Sequence, residues 1–232
     1  MAGMTEWVGP IPGTTLWRVT GGDQQHLVLP DAAMDLVISG NKIIFAGPDT
    51  QASLVSTQPG QVTWGLRFAP GMAHQMLGLP VCELQNERVA LSELVELPMS
   101  VQEVAIHNPV LALKCSGTSL WRQCLASPTD IGLAHAIDHA ARRGIRVKDL
   151  AEMQGLSTRT LQRICNRVFG YGPKTLVAIH QLNRAIGYGC KGIEPALVAV
   201  AAGYADQSHL IRSTQQLTGM TFNTLIKYRT AI

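Results

Sequence analysis

The chain has 232 residues, enough for two modest domains, and 46% of them are hydrophobic, which excludes wholesale disorder. The net charge of +3 hides an asymmetry: residues 1–129 hold 6 Lys and Arg against 10 Asp and Glu, whereas residues 130–232 hold 13 against 6. One half repels phosphate and the other attracts it, the pattern of a nucleic-acid-binding module attached to something with another job.

The first stretch, MAGMTEWVGP, has no basic run ahead of an apolar segment, and no window approaches a membrane span, so a soluble cytoplasmic protein without membrane contact is expected. Five cysteines, Cys82, Cys115, Cys124, Cys165 and Cys190, are scattered without a CxxC pair and suit reduced thiols.

From the N-terminus the chain reads as short strands. His26–Leu29, Met34–Ser39, Lys42–Ala46 and Val62–Phe68 are β-rich runs, the middle two separated by the hairpin dipeptide Gly40-Asn41. Pro30-Asp31, Gly47-Pro48-Asp49, Pro59-Gly60 and Pro70-Gly71 punctuate them as turns. From Leu91 the pattern turns helical, through LSELVEL and then about Val101 to Leu125, with Pro98 and Pro109 limiting the helices. Asp31, Asp35, Asp49, His26, His74, Cys82 and Glu83 are the polar residues to test for chemistry, but no spacing among them matches a metal or nucleophile motif, and turn-capping or buried structural roles are favoured. Trp17 and Trp64 are expected in the core rather than around an apolar pocket.

The second half contains one unit twice. Leu150-Ala151, Gly155, Leu161, Arg163 and Gly170 recur as Val198-Ala199, Gly203, Leu210, Arg212 and Gly219, offset by 48 residues before the turn and 49 after it. Each copy reads as a short helix, a glycine turn and a longer helix, N-capped by Ser157 in the first and Asp206 in the second. On Ser157–Gly170 the residues Leu161, Ile164, Cys165 and Val168 form a buried stripe at i, i+3, i+4 and i+7. Arg159, Gln162, Arg163 and Asn166 form a second row at the same spacing, and Arg and Gln are the types that bond base edges bidentately in a major groove. Between the copies, a helix is expected from Lys174 to about Ile186, begun by Pro173 and stopped by Gly187 and Gly189. His135 and His139 lie at i and i+4 beside Asp138, the spacing of a zinc helix, but without a third ligand they read as a surface or interface pair.

Residues 130–229 resemble the AraC/XylS DNA-binding domain. The likeness is carried by both turns, by Gly-Tyr-Gly-Pro at 170–173, by Leu-Asn-Arg-Ala at 182–185, and by GYADQSHLIR at 203–212. It implies two helix-turn-helix units joined by a linker helix, with Arg159, Gln162 and Arg163 of the first unit, beside Asn166 of the same row, and Gln207, Ser208, Ile211 and Arg212 of the second facing DNA. LPDAAMDLV, AGPD and GLRFAPGMAHQMLGLP, within residues 15–97, resemble the small N-terminal domain of a subset of AraC-type regulators. Cys165 and Thr214 depart from that family, standing where it usually has phenylalanine; Gln215-Gln216 replace basic residues, and Phe222 replaces a proline. A second unit that is looser and less involved in base reading follows.

The fold class expected is thus α+β: a small, mostly antiparallel β-rich domain with flanking helices over 1–129, for sensing or oligomerising, and an all-α DNA-binding domain over 130–232. The function expected is a one-component, sequence-specific transcription regulator, activator or repressor, with no enzymatic activity, cofactor or metal. Its partners would be promoter duplex DNA, with RNA polymerase, a small-molecule effector and a second copy of the chain as further candidates. Two alternatives stay open. One is a DNA reader fused to an enzymatic or stoichiometric cysteine-based sensor, for which Pro80-Val81-Cys82-Glu83 lacks the Pro-Cys-His setting of methyl-transfer repair regulators. The other is a structural dimer module without a pocket.

Overall fold

Alternation along the strands decides the N-terminal half. In the computed structural model, which describes residues 4–22, 25–39, 42–123 and 128–231, eight strands form. They are β1 (Thr5–Val8), β2 (Thr14–Thr20), β3 (Gln25–Val28), β4 (Met34–Ser39), β5 (Lys42–Ala46), β6 (Ser53–Ser56), β7 (Val62–Phe68) and β8 (Arg88–Ala90). Six make an antiparallel sheet in the order β1-β2-β7-β4-β5-β8, and β3 pairs with β6 as a separate ribbon. Ser39 pairs with Lys42 as a hairpin requires, while Gly40-Asn41 lie outside the described residues. Leu16, Leu66, Leu36 and Phe45 stand opposite one another across β2, β7, β4 and β5, so they share one face, and each is buried.

That face is covered by helices. After α1 (Met72–Leu77), a 3-10 turn (Val81–Leu84) and the single turn α2 (Leu91–Leu94), the helices α3 (Met99–His107) and α4 (Pro109–Gln123) pack on each other and on the sheet. Pro109 begins α4, as the sequence requires. Trp64 packs against the core, as expected, whereas Trp17 does not. Trp17 pairs with Gly65 and Trp64 with Arg18, which puts the two rings on opposite faces, and both are half-buried. Trp64 stacks on Trp7 with ring centres 5.6 Å apart, and Trp17 donates its indole N–H to Asp35 at 2.7 Å.

The C-terminal half is all helix: α5 (Pro128–Arg142), α6 (Val147–Met153), α7 (Thr158–Phe169), α8 (Pro173–Gly189), α9 (Pro195–Ala202), α10 (Gln207–Thr218) and α11 (Phe222–Ala231). The linker helix α8 has 17 residues, about 25 Å at 1.5 Å per residue, and is not stopped at Gly187. It ends at Gly189, the second of the two expected stops. A Cβ there would lie 2.6 Å from Ile226 Cδ1 and 2.9 Å from Phe222 Cζ, so this glycine also lets α11 approach.

The two halves share a core. Leu27 and Ala32 are buried in the same cluster as Ile137, Leu161, Phe169, Leu176 and Leu225. The second helix-turn-helix unit has a smaller cluster of Ala185, Val198, Ala199, Ala202, Tyr204, Leu210 and Phe222. Among the described residues no helix is long and apolar enough to cross a membrane.

Candidate nucleic-acid interface

Each long helix of the repeat is started and stopped by local chemistry. The Ser157 hydroxyl accepts from Thr160 N–H at 3.1 Å, and Asp206 accepts from His209 N–H at 2.6 Å, so both expected N-caps are formed. Gly155 and Gly203 hold φ of 64° and 87°, the left-handed turn that an L side chain resists. Leu161, Cys165 and Val168 bury one face of α7, and Leu210, Thr214 and Leu217 bury one face of α10. Burial pushes the Cys165 thiol up to about 12, the behaviour of a packed residue rather than a reactive one.

The opposite faces are open. Arg159, Gln162 and Arg163 are exposed on α7, and Gln207, Ser208, Ile211 and Arg212 on α10. Asn166 is half-buried and accepts from Gln162 Nε2 at 3.0 Å, so these two amides are ordered before any ligand arrives. Among the described residues no carboxylate forms a salt bridge with Arg159, Arg163 or Arg212, which leaves three guanidinium groups available for phosphate or base edges. Thr214 is fully buried, and its hydroxyl has no hydrogen-bond partner among the described residues.

Three residues position these faces without touching them. Asp138 of α5 lies in the interior, bonded to His180 Nε2 of α8 at 2.8 Å and to Arg142 Nε at 2.6 Å. Burial pushes the Asp138 carboxyl up, but the hydrogen bonds from His180 and Arg142 outweigh it and hold the carboxyl below its usual value. Its neighbours His135 and His139 are exposed, whereas Asp138 faces the interior. No group of three His, Cys, Asp or Glu able to hold a metal occurs among the described residues. Arg184, from the linker helix, donates to the carbonyls of Arg142 and of Ala202, the latter at 3.0 Å, and Gln181 donates to Gly203 O at 2.8 Å. One guanidinium thereby closes the C-terminal ends of α5 and α9. The repeat did not reveal these roles.

In the N-terminal half, a cleft of about 500 Å3 opens at the border with the helical half and includes Thr15, Asp31, Arg67, Arg142 and Asn183 in its lining. Its charges are already matched: Arg67 bridges Asp31 at 2.9 Å and Asp35 at 3.2 Å. Burial raises the Asp35 carboxyl above its usual value, against the pull of Arg67 and Trp17. Asp49 pairs with Arg88, and His74 bonds the Leu79 carbonyl, whereas His26 Nε2 is buried without a partner among the described residues. Cys82 is exposed.

Two capped helices, each behind a left-handed glycine turn and joined by one linker helix, define a double helix-turn-helix DNA-binding domain with a β-rich domain in front. The comparisons agree. Residues 150–228 match the helix-turn-helix domain family and residues 14–90 a domain of unknown function, DUF6597. The C-terminal part of the chain thus carries an AraC-type helix-turn-helix DNA-binding domain, that of a transcription regulator. Solved structures of ToxT from Vibrio cholerae are similar to it. That of the O395 protein is 11% identical, covering 94% of this chain and 98% of its own at a TM-score of 0.49. That of unsaturated fatty acid bound wild-type ToxT from strain SCE256 is also 11% identical, covering 94% and 96% at 0.47. Among curated proteins none matches.

Proposed function

We propose that the chain is a one-component regulator whose helices α7 and α10 read successive major-groove segments of a promoter. Arg159, Gln162, Arg163 and Asn166 make the contacts of the first unit, and Gln207, Ser208, Ile211 and Arg212 those of the second. The N-terminal half modulates this binding through an effector or through self-association, without a reaction. The observation that carries the reading is the open, ion-pair-free polar face on each capped helix, opposite a fully buried leucine. Arg184 and the Asp138–His180 bond support it, because reading two groove segments requires the two units to be held stiffly near one helical repeat, about 34 Å, apart.

The test is a set of binding curves for the full chain against its preferred duplex and single-base variants of it, at two salt concentrations. Arg163→Ala removes about 1 to 3 kcal/mol of discrimination at one or two base positions and changes non-specific binding far less. If Arg163→Ala weakens every duplex by one factor and lowers the salt slope by about one unit, this row grips phosphate and sequence is read elsewhere.

A further inference from the structure

The linker helix is not the only bridge between the two reading helices. The loop over residues 47–53, between β5 and β6 of the N-terminal half, reaches both. Pro48 packs on Gly170, the residue that caps the C-terminus of α7; a Cβ there would lie 2.2 Å from Pro48 Cγ. Four residues later, Ala52 N–H donates to the carbonyl of Leu217, in the last turn of α10, at 2.8 Å. One short segment thus touches the C-terminal ends of both helices that present side chains to DNA.

The segment is itself held rigidly. Asn86, in the left-handed region at φ 60°, accepts from Thr50 N–H at 2.8 Å and donates from Nδ2 to Thr50 Oγ1 at 3.0 Å. Its own backbone N–H donates to Pro48 O at 3.0 Å. Arg88 grips Asp49 with two bonds, at 3.0 and 2.6 Å. The ribbon that follows adds a second hold on the same unit: Leu27 N–H donates to Tyr228 Oη of α11 at 3.0 Å, and that hydroxyl donates to Gln25 O at 2.6 Å.

We propose that Asn86 is a positioning residue for DNA reading: by fixing the 47–53 loop it sets the separation of α7 and α10, and so the half-site spacing that the protein accepts. This rests on the reading above, that both units enter the groove. Pro48 and Ala52 are the two points of contact, and the Asp49–Arg88 pair is the second brace.

The experiment uses the full chain and duplexes that it selects from a randomised pool, rebuilt with one base pair inserted or removed between the half-sites. One base pair moves the second half-site by about 3.4 Å and about 34°. The parent loses about tenfold in affinity on either change, comparable to one mismatched base pair. Asn86→Gly keeps the positive φ without strain and loses only the side chain. It, and Asp49→Asn, lose less than about threefold on the same duplexes, while their affinity for a duplex carrying only the first half-site stays within about twofold of the parent's. If both variants keep the parent's spacing penalty, whatever their melting temperatures, the assignment is wrong. Should Asn86→Gly not fold, Asp49→Asn alone decides. A parent that is indifferent to spacing, or protects one half-site only, overturns the two-unit reading itself and this proposal with it, an outcome visible before any variant is made.

Discussion

Removing the Asp138 carboxyl tests how the first helix of the DNA-binding half is fixed to the linker helix. Asp138 and His180 are 5% and 4% exposed, so Asp138→Ala leaves a buried ring nitrogen without its partner, a loss of about 1 to 3 kcal/mol. The Arg142 bond contributes at most about 1 kcal/mol more, because that side chain is half exposed. A total of about 1 to 4 kcal/mol lowers Tm by roughly 2 to 16 °C for a chain of this size. Asp138→Asn keeps one acceptor for His180 and costs about 1 kcal/mol. The sign with pH follows from the direction of the shift. A carboxyl held below its usual value of 3.8 contributes stability that is fully present above that pH and is lost as pH falls through the folded value. The gap between parent and Asp138→Asn therefore closes on acidification below about 3.8. Urea unfolding of the three proteins at neutral and acidic pH measures this. Variants that both unfold within about 0.5 kcal/mol of the parent refute the argument, as does a gap that widens in acid.

Leu161→Ala and Leu210→Ala, at two fully buried positions, each cost about 2 to 5 kcal/mol in denaturant unfolding and abolish DNA binding with the fold. Two glycines of α8 respond in opposite directions: Gly189→Ala overpacks against Ile226 and Phe222 and destabilises by about 1 to 3 kcal/mol, whereas Gly187→Ala meets nothing within 4 Å and stabilises by up to about 1 kcal/mol. Under alkylation at neutral pH, peptide mapping finds exposed Cys82, Cys115 and Cys190 modified in the folded protein and Cys165 modified only after unfolding.

The parts of the fold legible in the sequence are those with local causes. The stripe Leu161, Cys165, Val168 follows from the 3.6-residue period, the caps at Ser157 and Asp206 from short oxygen side chains ahead of apolar runs, and the strands from alternation. Of the two glycines expected to stop the linker helix, Gly189 ends it and Gly187 lies inside it, and Gly189 has the further role of admitting α11, which local pattern does not show. Trp64 packs against the core as its size suggests, whereas the register puts Trp17 on the opposite face, bonded to Asp35. Contacts between the halves left no trace in local pattern: the bond from Leu27 to Tyr228 spans 201 positions, and Arg184 finds its carbonyls only once α5 and α9 have converged on α8. The reading row was legible as a row, but the pairing of Gln162 with Asn166 within it was not.

Leu27 and Ala32 belong by sequence to the β-rich half and by burial to the helical one. A chimera that joins this reader to a foreign sensor at residue 129 would open a cavity beside Leu225 and Leu161 and strip the partners from Tyr228. Functional exchange of sensors would therefore require carrying the β3–β6 ribbon across with the reader. By the same geometry a change of side-chain volume at Leu27 would have to be answered inside the reader, so a workable seam for recombining such halves would not coincide with the boundary between acidic and basic sequence.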